Sequence, residues 1–338
     1  MKNLPTSSTH NRPALQIAFW GLLALLCGVA SLSLGAVSVP LSEVVQALLG
    51  GMEGTPQAQI VLYSRLPRTC GCLLAGIALA VSGVIIQSVL HNPLAAPNVI
   101  GVNSGAGLMV ALCCAIAPTA IWAVPLAAFA GALAGALLVF FTAQRTGASR
   151  ITLVLSGIAL SGMFSAGIDA VVTVFPDALN GYSDFRIGSF ENLSLSRIAP
   201  AFWVILAAMA AVLVLSGEMD ILALGDETAR SLGLPVGKLR IILLALAAAL
   251  AGSAVSFAGL LGFVGLVVPH MMRRLVGEES LPLLFASAFG GAALVTLCDL
   301  VARTLFAPYV LPVGILLSVL GGGFFLWLLT RRKGGSHG

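Results

Sequence analysis

The amino-acid sequence predicts an all-α, polytopic membrane protein of about ten transmembrane helices, and three observations carry that reading. Apolar residues make up 59% of the chain and charged residues only 9%, with a mean hydropathy of +1.05, whereas a soluble domain carries about 25% charged residues. The apolar residues gather in about ten runs of roughly 20, the length that crosses a hydrocarbon core about 30 Å thick. These runs lack the alternating pattern of a membrane barrel, and a segment in hydrocarbon must satisfy its own backbone hydrogen bonds, so each run is expected to be a helix.

The spans are expected near residues 14–35, 67–90, 98–117, 121–143, 151–174, 198–216, 239–257, 260–275, 282–300 and 312–330. The first is longer than the apolar core of a signal peptide, about 7 to 15 residues, and further spans follow it, so it is read as the first helix. After it, residues 40–49 read as a short amphipathic helix at the outer surface, with Ser42 as its cap. Two joints exceed a turn and offer docking surfaces: an outer one from about Phe175 to Arg197 and an inner one over residues 217–238. No separate soluble domain fits, so residues 1–338 are read as one transmembrane domain. Among the 38 glycines, Gly101 with Gly105 and Gly131 with Gly135 stand four apart, a spacing that lets helix backbones approach in lipid.

An even number of spans puts both termini on one side. With that side cytoplasmic, Lys2, Arg12, Arg145, Arg150, Arg230, Lys238, Arg240, Arg273, Arg274, Arg331, Arg332 and Lys333 lie inside. Only Arg65, Arg68, Arg186, Arg197 and Arg303 then lie outside, so the orientation obeys the positive-inside rule and its reverse violates it.

Several chemistries are disfavoured by the residues. No Gly-x4-Gly-Lys-Ser/Thr loop is present to cradle a nucleotide, so ATP is left to a partner. Cys27, Cys70, Cys72, Cys113, Cys114 and Cys298 lie in or beside apolar runs without the spacing of a zinc site and read as packing residues. Asp169 lies about a turn from the outer end of the fifth span and Asp299 at the outer end of the ninth, leaving no midplane cluster of the kind a secondary transporter or channel uses. A membrane enzyme would want clustered His, Asp or Glu, but the histidines stand apart at 10, 91, 270 and 337.

Four segments occur in an order and spacing that resemble one family. They are Arg65-Leu-Pro-Arg68 with Leu74-Ala-Gly-Ile-Ala-Leu-Ala80, Ser82, Gly83, Gln87, Asn92-Pro-Leu-Ala95 and Pro97; then Gly225-Asp-Glu-Thr-Ala-Arg-Ser-Leu-Gly233; then Phe263-Val-Gly-Leu-Val-Val-Pro-His-Met-Met-Arg273; and Leu311-Pro-Val-Gly314 with Gly321. The chain thereby resembles, over nearly its whole length, the permeases that import iron siderophores, haem and cobalamin with an ATPase partner. Two places differ from the usual pattern: Phe185 stands where tryptophan is common before Gly188-Ser189, and Gly321-Gly-Gly323 lacks a common proline.

The resemblance implies a type II ABC importer permease fold in the cell inner membrane, working as a dimer, a homodimer by preference, with its pore lined mainly by the fifth and tenth spans. It implies an ATP-binding-cassette ATPase that uses ATP and Mg, a substrate-binding protein on the outer side, and no cofactor or metal held by this chain. The cargo is expected to be an iron siderophore, with cobalamin, haem and molybdate as rivals. Gly225, Asp226, Glu227, Thr228, Ala229, Arg230, Ser231, Leu232 and Gly233 match the ATPase-coupling segment. The acidic residues sit where a short helix has its positive end, and Gly233 and Pro235 stop it. Arg65, Arg68 and Arg303 match arginines that pair with acidic residues of the binding protein; phosphate headgroups are their other natural partner. Asn92 matches a residue of the cytoplasmic gate, and Ser149 and Thr152 are further gate candidates. Pro269, His270 and Arg273 form the signature of the eighth span, where His270 lacks a second metal ligand and is expected to be a hydrogen-bonded structural residue.

Overall fold

The structure is a computed structural model that describes residues 13–333 except 36, 52–53, 121, 146–149 and 306–308. Each expected span corresponds to a helix: α1 (Pro13–Ser33), α4 (Leu66–Leu90), α5 (Val102–Ile116), α6 (Ala123–Arg145), α7 (Arg150–Val174), α9 (Leu195–Val214), α12 (Val236–Ala258), α13 (Val264–Val276), α14 (Ser280–Thr304) and α15 (Val313–Lys333). Between them lie the short helices α2 (Leu41–Leu48), α3 (Pro56–Gln59), α8 (Ala178–Ile187), α10 (Ser216–Ala223) and α11 (Asp226–Ser231).

Three features depart from the sequence reading. The second span does not begin at residue 67 but belongs to a continuous helical stretch, Pro56–Leu90, of 35 residues. At 1.5 Å per residue it runs roughly 50 Å and overshoots the hydrocarbon core. Pro67 has no N–H to return to the preceding turn, and the helix passes through a wide π turn at Ile60–Arg65 just before it. The helix α2 is capped by Pro40 without a side-chain bond, so Ser42 is not its cap. The eighth span is only 13 residues long, because the chain between α12 and α13 stays non-helical through the left-handed residues Gly259 and Phe263.

That non-helical stretch is tolerated because its backbone groups find partners inside the protein. Leu260 N–H donates to the Phe185 carbonyl at 2.9 Å, Ser189 N–H to Ala258 at 2.9 Å and Gly314 N–H to Gly188 at 3.1 Å. The end of α8, the α12–α13 turn and the start of α15 thus form one knot. Elsewhere α4 is the axis of the bundle, packed by α12, α13 and α14, with α1 against α14 and α5 between α6 and α7. Glycines set these seams. A Cβ on Gly76 would collide with the Gly291 carbonyl of α14, and one on Gly83 with the Gly265 carbonyl of α13. The expected close approach through Gly101, Gly105, Gly131 and Gly135 is present between α5 and α6.

Candidate functional sites at the two membrane faces

On the face read as inner, α10 and α11 fill the joint between α9 and α12. Met219 and Leu222 of α10 have no exposed surface. The Leu222 carbonyl accepts from His91 Nε2 at 2.8 Å, where His91 ends α4 in a left-handed turn. Since a carbonyl only accepts, His91 carries its proton on Nε2. Asp220 Oδ1 accepts from the Ser280 N–H at 2.7 Å, at the first residue of α14. The element therefore rests on both α4 and α14.

The helix α11 has the form its sequence predicts. Asp226 and Glu227 occupy its first turn, Gly233 follows with φ +85°, and Leu234 N–H returns to the Ala229 carbonyl at 3.0 Å, closing its C-terminus. Ala229 is buried and anchors one side, while Glu227, Thr228, Arg230, Ser231 and Leu232 face outward. Leu224 and Leu232 flank it with 66% and 60% of their surfaces exposed, two apolar knobs on a charged loop. Asp226 Oδ1 accepts from Arg240 Nη2 of α12 at 2.6 Å.

The other inner candidates divide. Gln87, buried on α4, donates through Nε2 to the Gly265 carbonyl at 3.3 Å and accepts through Oε1 from Arg273 Nη1 at 2.9 Å. The signature arginine of α13 is thus fastened to the motif glutamine of α4. Pro269 is buried in α13, and the His270 ring lies edge-on to Phe324 of α15, centroids 6.0 Å apart. Asn92 is exposed, and its Oδ1 accepts from Leu94 N–H at 3.0 Å, shaping the turn before Pro97. Thr152 is half-buried at the start of α7, and Ser149 lies outside the described residues. No group of three or more His, Cys, Asp or Glu side chains that could hold a metal occurs among the described residues.

On the face read as outer, the structure turns the three arginines toward partners within the chain. Arg65 and Arg303 retain 4% and 7% of their surface, and their partners lie within the chain. Arg65 donates to the carbonyls of Leu32 at 2.9 Å and Ser33 at 2.7 Å, and also to that of Val37. Arg68 grips Asp299 in a fork, Nε to Oδ2 at 2.9 Å and Nη2 to Oδ1 at 2.8 Å. Arg303 donates to the Ser31 carbonyl at 2.5 Å and to its hydroxyl at 2.8 Å, and that hydroxyl also meets Thr69 Oγ1 at 2.7 Å. The carbonyls left open at the end of α1 draw these guanidiniums inward. They lock α1, α4 and α14 together and present little surface for a partner or a headgroup. Exposed charges do gather in the joint around α8, where Asp177, Asp184, Arg186, Glu191 and Arg197 stand. A cavity of about 480 Å³ opens there, lined in part by Asp184, Glu191, Asn192, Arg197, Phe257 and Pro312.

Between the two faces, α7 is the barest of the long apolar helices, with only Leu153, Gly157 and Ile168 buried along residues 152–174. Ile158, Gly162, Ser165, Asp169 and Thr173 form one exposed stripe along it.

A multi-span helical chain that exposes a short helix on one face and leaves one long apolar helix bare has the form of a membrane subunit with surfaces open to other chains. It belongs to the FecCD transport family, whose sequence pattern matches residues 23–331. It is 36% identical over 325 residues to the Fe(3+)-citrate import system permease protein YfmE of Bacillus subtilis, covering 96% of this chain and 97% of that one. It is also 36% identical over 329 residues to the hemin transport system permease protein HmuU of Yersinia pestis, covering 95% and 97%. Among solved structures it resembles a metal-chelate type ABC transporter in an inward-facing conformation, with a TM-score of 0.83 and 28% identity over 93% of this chain and 98% of that one. The chain is therefore a multi-pass permease of the ABC importer class, the family that its four motifs resembled.

Proposed function

We propose that this chain carries an iron chelate, a ferric siderophore or ferric citrate in the first instance, across the inner membrane, with its pore formed between two permease subunits. The observation that carries this reading is Asp169, a carboxylate exposed on the bare stripe of a membrane-spanning helix. A charge in a span faces water or a protein partner, so the stripe of α7 belongs to an aqueous path completed by a second subunit. Both termini are cytoplasmic in this reading. The segment Gly225–Gly233, with Leu224 and Leu232 beside it, seats in a separate ATPase that uses ATP and Mg, and Asn92 and Thr152 lie at the inner gate. The outer binding protein meets the joint around α8, because Arg65, Arg68 and Arg303 are engaged inside the chain. A path lined mainly by small and apolar residues, with Asp169 near its outer entrance, suits a bulky ligand handed over by a binding protein better than a bare ion.

A haem cargo is the second reading, favoured by the equal identity to the ferric-citrate and hemin permeases. Both are tested by co-expressing the chain with the ATPase and binding protein of the neighbouring genes and measuring ligand-stimulated ATP hydrolysis in liposomes. Ferric citrate, a ferric hydroxamate and hemin are offered in turn. Stimulation by a ferric chelate is expected. Stimulation by hemin alone transfers the assignment to haem, and no stimulation by any of them removes the metal-chelate reading. Exchanging residues 225–233 for a Gly/Ser stretch should abolish co-purification with the ATPase, and an intact complex would refute the coupling assignment.

A further inference from the structure

The helix α11 is six residues long, too short to persist by its own hydrogen bonds. It is joined to its neighbours through two glycines, Gly225 at φ +109° and Gly233 at φ +85°. A side chain at either would meet nothing within 4 Å, so these two turns are unpacked and the buried Ala229 is what seats the helix between them. The preceding helix α10 is fixed, through Leu222 to His91 and through Asp220 to Ser280. Force applied to α11 would then be absorbed as rotation about the two glycines unless something ties α11 to a membrane helix. Arg240 supplies such a tie. It stands in the second turn of α12 with its side chain 13% exposed and bonds Asp226, the first residue of α11, at 2.6 Å. In its turn α12 packs on α4, α6 and α9, so the tie leads from the loop into the centre of the bundle.

We infer that Arg240 is a positioning residue of the coupling segment: a strut from α12 that makes α11 move with the membrane helices instead of pivoting at Gly225 and Gly233. This rests on the reading of residues 225–233 as the ATPase-coupling segment and goes beyond it, since Arg240 lies outside that segment and touches the ATPase in no part of the argument. A residue that only stabilised the fold would lower the yield of complex and leave each surviving complex normal. A strut alters the yield of transport from each ATP.

The test reconstitutes the complete complex in liposomes and measures uptake of radiolabelled ferric citrate and ATP hydrolysis in the same vesicles. Arg240→Gln should assemble with the ATPase and lower uptake per ATP by roughly fivefold, the scale of losing one partly exposed ion pair. Arg240→Lys, which keeps a cation opposite Asp226 and leaves the coupling segment untouched, should recover most of that ratio. An unchanged ratio in assembled R240Q overturns the strut, as does an R240K complex that assembles and stays as uncoupled as R240Q. If R240Q fails to assemble, R240K decides: a near-wild-type ratio supports the strut and a low one overturns it. Absence of ATP-driven uptake in the unaltered complex overturns the importer reading itself and the strut with it.

Discussion

Asp299 has no exposed surface and lies between two guanidiniums, Arg68 in a two-point grip and Arg303 with Nε 3.9 Å away. Removing a carboxylate from such a buried set leaves the arginines uncompensated, which costs about 3–5 kcal/mol. Asp299→Ala should therefore lower the melting temperature of the detergent-purified protein sharply, and Asp299→Asn, which keeps an acceptor oxygen, less so. If the alanine variant melts with the unaltered protein, the network does not hold α1, α4 and α14 together. Asp299, Arg65, Arg68 and Arg303 were all visible in the sequence as charges near the ends of spans. Their inward direction was not, because the pattern of apolar runs tells where along a span a residue sits and says little about how that helix is turned. The acceptors that draw Arg65 inward are backbone carbonyls at the end of α1, which carry no residue-type signal at all. Gln87 shows the same limit: a polar residue late in an apolar span marks a polar contact, but only the packing of α13 on α4 gives Arg273 and the Gly265 carbonyl as its partners.

Helices meet here through missing side chains. At Gly83 a methyl group would overlap the Gly265 carbonyl, which is backbone and cannot turn aside, whereas at Gly162 and Gly322 the space is open. Gly83→Ala should separate α4 from α13 and cost about 1–3 kcal/mol or more, as overpacking does, seen as low yield and early melting. Gly162→Ala and Gly322→Ala should leave stability unchanged or slightly raised, since alanine favours helix. Equal behaviour of the three variants would contradict the seam. The Gly101, Gly105, Gly131 and Gly135 spacing announced its seam in the sequence because both partners carry the repeat. The Gly83–Gly265 and Gly76–Gly291 contacts had no such local signature, each pairing a single glycine with another far along the chain. The π turn before Pro67 and the shortness of α13 were equally hidden: hydropathy measures how apolar a stretch is, and a non-helical stretch such as Gly259–Phe263 is apolar too.

At the scale of the whole molecule, α7 and α15 are left with bare faces, and that of α7 differs in character from the apolar surface of α1. On α15 the exposed residues include Ile315, Ser318, Val319, Gly323 and Trp327. The small and polar groups that stand with Asp169 on α7, Gly162, Ser165 and Thr173, suit a subunit interface or aqueous path, where lipid would leave a carboxylate unsolvated. A closed two-fold assembly is the common way to cover one face with a copy of itself. Single cysteines placed at Ser165 and at Val319, in a background lacking the native six, should then form oxidant-induced dimers between copies in native membranes. Cysteines on the outward positions Leu15 and Leu22 of α1, exposed at 69% and 56%, should remain monomeric. Dimers that form only when the product of a second permease gene is present would replace the homodimer with a pair of related subunits. Cross-links at α1 rather than at α7 and α15 would put the interface, and with it the transport path, on the opposite side of the bundle.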